Sequence, residues 1–315
     1  MNLDALAANI TSLDPTRLPV ISAAERDYFR FYGLNFEENN NNINHHFGGV
    51  RCGDFDIVAH YYENRLAVKT CFIVHGFFDH AGLYRHIIEY CLKRNFSVVI
   101  FDLPGHGLST GERASISSFQ DYQSVFSDLL LFFKHQAPTP WHAIGQSTGG
   151  AILMDFILSG GQQVFSKTVL LAPLVRPQGW LVSKIMHSIA KPFLTHIDRK
   201  YNDNSNDDNF KHFIKNDDPL QATRLPLQWV AALKQWVKYF LSIEPVAAGP
   251  LVIQGDQDST VDWQYNIGII QQKFPNSQYC YLKAAKHHLA NEREDIRQSI
   301  IAAMDNYLEL DSSEL

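Results

Sequence analysis

The pattern of apolar positions changes near residue 47. Before it, Ala23–Tyr32 reads as an aromatic helix, and Glu37–His46 (EENNNNINHH) is an Asn-rich tract with too little apolar surface to pack, so an exposed loop is expected. After it come short β-rich runs at Ile57–Tyr62, Thr70–Val74 and Trp141–Ile144. Continuous aliphatic runs follow at Ser97–Phe101, Thr168–Ala172 and Pro250–Gln254, with a further strand at Gln278–Leu282. Unbroken apolarity, rather than alternation, is what a strand buried on both faces shows. Helical stretches lie between them: Tyr84–Lys93, Phe119–His135, Gly149–Ser159 and Tyr265–Lys273. Strands alternating with helices predict βαβ units and a mostly parallel sheet with helices on both faces, whose reactive groups sit at the carboxyl ends of the strands.

One region interrupts the alternation. From Pro173 to about Ala248 no convincing buried strand appears; amphipathic pieces at Trp180–Phe193 and Leu227–Phe240 flank a polar stretch, Asp198–Asp208. A helical insertion of this size predicts a cap over a strand-end site. The expected organisation is an N-terminal extension (1–46), a discontinuous α/β core (47–173 and 249–315) and a helical cap (174–248).

Composition narrows the function classes. The 315 residues carry 27 Lys+Arg and 33 Asp+Glu, a net charge of −6, with no basic run, which argues against a nucleic-acid partner. No apolar stretch reaches 18 residues, and the N-terminus lacks the basic start of a secretory signal. Cys52, Cys71, Cys91 and Cys280 form no CxxC pair, so neither a disulfide framework nor a zinc site is expected, and a cytoplasmic setting fits. No cofactor or metal is called for. His45 and His46 are expected to be solvated; His75, His80 and His86 are expected to serve as structural hydrogen-bonding groups.

Chemistry concentrates in Gly145-Gln146-Ser147-Thr148-Gly149, a G-x-S-x-G motif between a short apolar run and a helix. The chain turns so sharply there that the neighbours of the nucleophile have no room for a Cβ, which points to Ser147 as a nucleophile. A hydroxyl needs a base, and the base an orienting group. Gly255–Asp262 offers three carboxylates after one strand, and Ala284–Leu289 offers His287 and His288 after the next, in the order Ser, Asp, His. The glycine turn in His75–His80 lets backbone approach an ester carbonyl, making the amides of Phe77 and Thr148 the expected oxyanion donors.

The motifs HGFFDHAGLY (His75–Tyr84), FDLPGHGLSTGER (Phe101–Arg113), GQSTGG (Gly145–Gly150), NDDPL (Asn216–Leu220), QGDQDSTVD (Gln254–Asp262) and AKHHLANE (Ala285–Glu292) together resemble the α/β-hydrolase superfamily, in its monoglyceride lipase and lysophospholipase-like branch (serine aminopeptidase S33-type). The resemblance runs from about Phe47 to Leu308. It implies Asp258 as the catalytic acid rather than Asp256 or Asp262, His287 rather than His288 as the base, and His106 as a loop brace. It further implies hydrolysis of a small acyl ester through an acyl-enzyme, with a lysophospholipid or monoglyceride as the substrate. Short-chain carboxylesters and aminoacyl amides are the rivals. Trp180, Phe193, Trp229 and Trp236 supply apolar surface either for an acyl chain or for packing the cap. The same cap offers a peripheral contact with the inner membrane face.

Overall fold

The apolar runs assemble side by side into one sheet. In the computed structural model, which describes residues 2–180 and 193–309, eight strands take the order β1-β2-β4-β3-β5-β6-β9-β10. They are β1 (Ile43–Cys52), β2 (Phe55–Asn64), β3 (Lys69–Val74), β4 (Phe96–Phe101), β5 (Trp141–Gln146), β6 (Lys167–Leu171), β9 (Leu251–Gly255) and β10 (Gln278–Leu282); a separate ribbon pairs β7 (His196–Asp198) with β8 (Arg224–Pro226). From β4 to β10 all neighbours are parallel, while β1 and β2 add an antiparallel edge. Every residue of β4, β5 and β9 is buried, as continuous apolarity requires of strands covered on both faces.

The covering helices are α1 (Leu3–Ala7), α2 (Ala23–Tyr32), α3 (Arg85–Lys93), α4 (Phe119–Phe133), α5 (Thr148–Phe156), α6 (Asp208–Asn216), α7 (Leu227–Ser242), α8 (Trp263–Lys273) and α9 (Glu294–Leu308). Two apolar clusters result. One gathers α4, α5 and α7 around Phe72, Phe126 and Trp236; the other gathers α2, α3 and α9 around Tyr28, Ile88 and Ile300. Local signals set the helix ends: Ser22 and Glu25 form a capping box that starts α2, and Gly33, at φ 69°, stops it in the left-handed region.

The Asn-rich tract departs from expectation. Only Glu38–Asn41 is exposed, whereas Ile43–His46 begins β1 and the His45 side chain is fully buried. The reason is pairing: β1 hydrogen-bonds along the length of β2, and the His45 ring stacks on Tyr62 and packs against Phe29, each at 4.1 Å. His46 is buried as well, on the opposite side of the strand against Tyr61.

The 174–248 insertion contains the β7–β8 ribbon, α6 and α7. The expected helix at Trp180–Phe193 lies mainly outside the described residues. α7 turns Trp229, Leu233, Trp236 and Phe240 onto the body, and two indole N–H groups fasten it there: Trp229 Nε1 donates to Tyr122 Oη (3.2 Å) and Trp236 Nε1 to Asp155 Oδ2 (2.9 Å). Among the described residues no helix is long and apolar enough to cross a membrane.

His45 and His60 form a buried pair, Nε2 to Nδ1 at 2.9 Å, which needs one donor and one acceptor. Burial holds both rings well below the usual histidine pKa, and a neighbouring histidine (His46 for His45, His45 for His60) pushes the same way. The folded state therefore binds fewer protons than the unfolded chain. The stability it confers is present above the unfolded value of about 6.5 and is lost as pH falls, at up to about 1.4 kcal/mol per pH unit for each ring. We predict that β1–β2 amides lose hydrogen-exchange protection earlier than those of β3–β5 on acidification from pH 7.5 to 5.5; equal loss across the sheet would contradict this.

Candidate active site

Ser147 stands between β5 and α5 with φ 53° and ψ −110°, a backbone state that side-chain-bearing residues rarely adopt. Crowding enforces it. A Cβ at Gly149 would meet Val74 O at 2.0 Å and one at Gly145 would meet Gly149 backbone at 2.7 Å, so the turn closes only with glycine at both places. The Ser147 N–H donates to Leu171 O and its carbonyl accepts from Leu174 and Ala151, which leaves the half-buried hydroxyl presented at the sheet's carboxyl edge.

Three candidate residues meet there. Ser147 Oγ lies 3.0 Å from His287 Nε2, and His287 Nδ1 lies 2.7 Å from Asp258 Oδ2. With Nδ1–H donating to the carboxylate, Nε2 is left as an acceptor for the hydroxyl proton. The carboxylate is itself fixed: Oδ1 accepts from the Thr260 and Val261 amides (2.8 and 3.1 Å), and Oδ2 also accepts from Gln254 Nε2 (3.0 Å). Burial lifts the Asp258 pKa, but the His287 ring, its hydrogen bond and the donors from Gln254 and Thr260 outweigh burial and bring it below the usual value.

The neighbouring carboxylates and histidines serve elsewhere. Asp256 accepts the Ala284 amide and Asp262 pairs with Arg176. His288 Nε2 contacts Asp79 Oδ1 at 3.1 Å. His75 accepts the Leu103 amide at Nε2 and donates from Nδ1 to Gly76 O, and His80 donates to Asp218, whose other oxygen accepts from Tyr32. His106 donates from Nδ1 to Pro104 O across its turn.

Gly76–Asp79 closes a turn through Asp79 N–H to Gly76 O (3.1 Å), with Phe78 in the left-handed region at φ 69°. Side chains hold this strained turn from both sides. The Phe77 ring stacks on Trp229 at 3.7 Å, while Asp79 accepts from Tyr84 Oη, which in turn accepts the Gly76 amide. Thr148 opens α5, so its N–H has no helical carbonyl to reach, and the Phe77 N–H is given no acceptor among the described residues. Of the apolar candidates, Trp229 borders the site through Phe77. Trp236 lies under the cap against Phe119, Trp180 is buried, and Phe193 is 84% exposed.

Positions that the motifs did not mark also shape the site. Gln146 Nε2 donates to His287 O (2.9 Å), tying the strand that leads into Ser147 to the loop that carries His287. The polar stretch expected as a spacer instead clamps that loop. Asn204 O accepts the His288 amide, Ser205 Oγ donates to Asn291 O, and the Asn206 N–H and Nδ2–H groups donate to fully buried Glu292, which also accepts the amides of Lys286 and Arg293. Asn and Asp without apolar spacing resemble a solvated loop in sequence; their partners, about 85 residues away, become visible only in three dimensions.

A family model described as serine aminopeptidase, S33, matches residues 67–294. The chain belongs to that family and has the α/β-hydrolase fold. It is 23% identical over 245 residues to a monoglyceride lipase homolog of Monkeypox virus, covering 75% of this chain and 88% of that one. It is 24% identical over 255 residues to phospholipase YtpA of Bacillus subtilis, covering 76% and 96%. A shorter match, 26% identical over 110 residues, takes in 35% of this chain and only 12% of an uncharacterized abhydrolase domain-containing protein of Dictyostelium discoideum. Among solved structures, a monoglyceride lipase from Saccharomyces cerevisiae shares the fold with a TM-score of 0.69 at 15% identity, over 84% of this chain and 95% of that one.

Because Glu292 gathers four N–H donors in the interior, its removal strands them, at about 1–3 kcal/mol for each group left unsatisfied. Glu292→Ala is expected to lose at least about 3 kcal/mol in urea unfolding, and Glu292→Gln less; a loss under about 0.5 kcal/mol for the alanine variant would show that the clamp contributes nothing.

Proposed function

We propose that this member of the S33 family hydrolyses carboxylic esters of monoacyl lipids through an acyl-enzyme on Ser147. The observation that carries the reading is the unbroken hydrogen-bonded chain Ser147–His287–Asp258, together with the Phe77 and Thr148 amides, which have no acceptor among the described residues. In the first step His287 Nε2 takes the Ser147 proton as Oγ attacks the ester carbonyl, and Asp258 steadies the resulting imidazolium. The amides of Phe77 and Thr148 receive the negative charge that develops on the carbonyl oxygen, each worth about 3 kcal/mol. The imidazolium then returns its proton to the departing alcohol, and a water activated by the same ring releases the fatty acid.

Trp229 supports an apolar acyl group. Its indole covers the Phe77 ring, so an ester whose carbonyl oxygen meets the Phe77 amide has an aromatic wall immediately beside it. The names of two relatives, a monoglyceride lipase homolog and a phospholipase, accord with a monoacyl lipid. The family's description favours a second reading, an aminopeptidase. That reaction needs a carboxylate near the site to hold the substrate's α-ammonium. The cap carboxylates Asp198 and Glu244 are exposed, Asp218 is taken up by His80 and Tyr32, and the cation of Arg199 lies 4.2 Å from the Phe78 ring.

Ser147→Ala is expected to keep its thermal transition and lose at least about 10⁴-fold in kcat toward p-nitrophenyl esters, and Asp258→Asn to lose a comparable factor while still reacting slowly with a fluorophosphonate. Rates should climb with acyl length from acetyl to dodecanoyl. Substantial activity in Ser147→Ala sinks the nucleophile assignment, and a preference for acetyl esters or for aminoacyl amides sinks the substrate class.

A further inference from the structure

A row of π-faces crosses the oxyanion turn. Trp229 lies on Phe77 at 3.7 Å, Phe77 and Phe78 stand 4.1 Å apart, the Arg199 guanidinium covers Phe78 at 4.2 Å, and Tyr201 lies 4.5 Å from the same guanidinium. The left-handed backbone at Phe78 places its ring between Phe77 and Arg199. The Phe77 ring thus has an apolar wall, Trp229, on one side and, beyond Phe78, a cation on the other.

Arg199 is an unusual cation. It follows β7 in the cap and is only partly exposed, yet its hydrogen bonds go to neutral acceptors alone, from Nη1 to Gln221 Oε1 and to Ala222 O. Among the described residues no carboxylate lies within ion-pair distance of it. The segment 181–192, outside the described residues, holds Lys184 and Lys191 and no acid. The two nearest buried carboxylates are already matched: Asp79 with His288, and Asp218 with His80 and Tyr32. Burial depresses the Arg199 pKa, with Tyr201, Asp79 and Asp218 opposing, so its withdrawal from water is only partly offset. Five guanidinium N–H groups form a planar fork suited to phosphate, and here Nε and Nη2 are left without an acceptor among the described residues.

We propose that Arg199 is the receptor for an anionic phosphate on the alcohol side of the ester, making this an enzyme selective for monoacyl glycerophosphates over neutral monoacylglycerols. The inference rests on the ester-hydrolase reading of the same site. The scissile carbonyl is held at Phe77, the acyl chain runs along Trp229, and the phosphate meets the open edge of the guanidinium that Phe78 and Tyr201 hold flat. An aminoacyl substrate, carrying an ammonium, is repelled by the same group.

The test compares dodecanoylglycerol with dodecanoylglycerol phosphate, both below their aggregation thresholds, on wild type, Arg199→Gln and Arg199→Lys, with inorganic phosphate as a competing arm. Wild type should favour the phosphate ester by at least about tenfold in kcat/KM, the worth of one charge-assisted contact. Arg199→Gln should erase that preference by raising KM for the phosphate ester at least about fivefold more than KM for the neutral ester, while Arg199→Lys keeps part of it. Inorganic phosphate should inhibit wild type competitively and spare Arg199→Gln. Equal use of both esters by wild type overturns the proposal, as does an equal fall on both esters in Arg199→Gln, which would mark a purely structural arginine. Hydrolysis of neither ester, by contrast, overturns the ester-hydrolase reading on which the proposal stands.

Discussion

The sharp turn at Ser147 is the constraint on which the rest depends. A residue with a side chain sits at φ 53° and ψ −110° because β5 must end and α5 must begin within one residue, with Val74 O and the Gly149 backbone filling the space that side chains would need. Such strain persists only where surroundings over-determine it. Here β3 and β6 lie on either side of β5 and provide those surroundings, one lending Val74 O and the other accepting the Ser147 amide at Leu171. The same turn leaves the Thr148 N–H without an acceptor among the described residues and brings the hydroxyl to the strand edge, where loops after β9 and β10 deliver Asp258 and His287.

A second theme is that the insertion between β6 and β9 is built into the site rather than laid over it. α7 is fastened to the body by two indole N–H bonds, and its Trp229 braces the ring of Phe77, the residue whose amide is proposed for the oxyanion. Residues 204–206 hold the histidine loop from the other side, largely through buried Glu292. Asp218, from the NDDPL motif, ties Tyr32 of the N-terminal helix to His80 in the loop after β3. Three parts of the chain far apart in sequence therefore share buried polar contacts, and each is costly to leave half-made.

Much of this was legible in the sequence, for identifiable reasons. Strands such as β4 and β9 are buried on both faces, so their apolar runs are unbroken, and G-x-S-x-G announces its own geometry because only glycine fits. β1 was not legible. After Ile43 it opens with Asn44, His45 and His46, poor strand formers, and the burial of His45 rests on stacking against Tyr62 and Phe29 rather than on hydrophobic patterning. Choosing Asp258 among three carboxylates and His287 over its neighbour took a family resemblance, since spacing alone left them open; the geometry brings those two, and not Asp256, Asp262 or His288, to Ser147. Arg199 and the 204–206 clamp escaped notice because a polar segment looks the same whether it faces water or a partner distant in sequence.

The central claim is that Ser147 carries the acyl group between the two halves of the reaction. Rapid-quench mixing with a dodecanoyl ester, followed by peptide mass mapping, tests it directly. The account predicts a dodecanoyl adduct on the peptide containing Ser147 that forms within one turnover and disappears as fatty acid is released. Steady hydrolysis with no adduct, or an adduct on another residue, would contradict it.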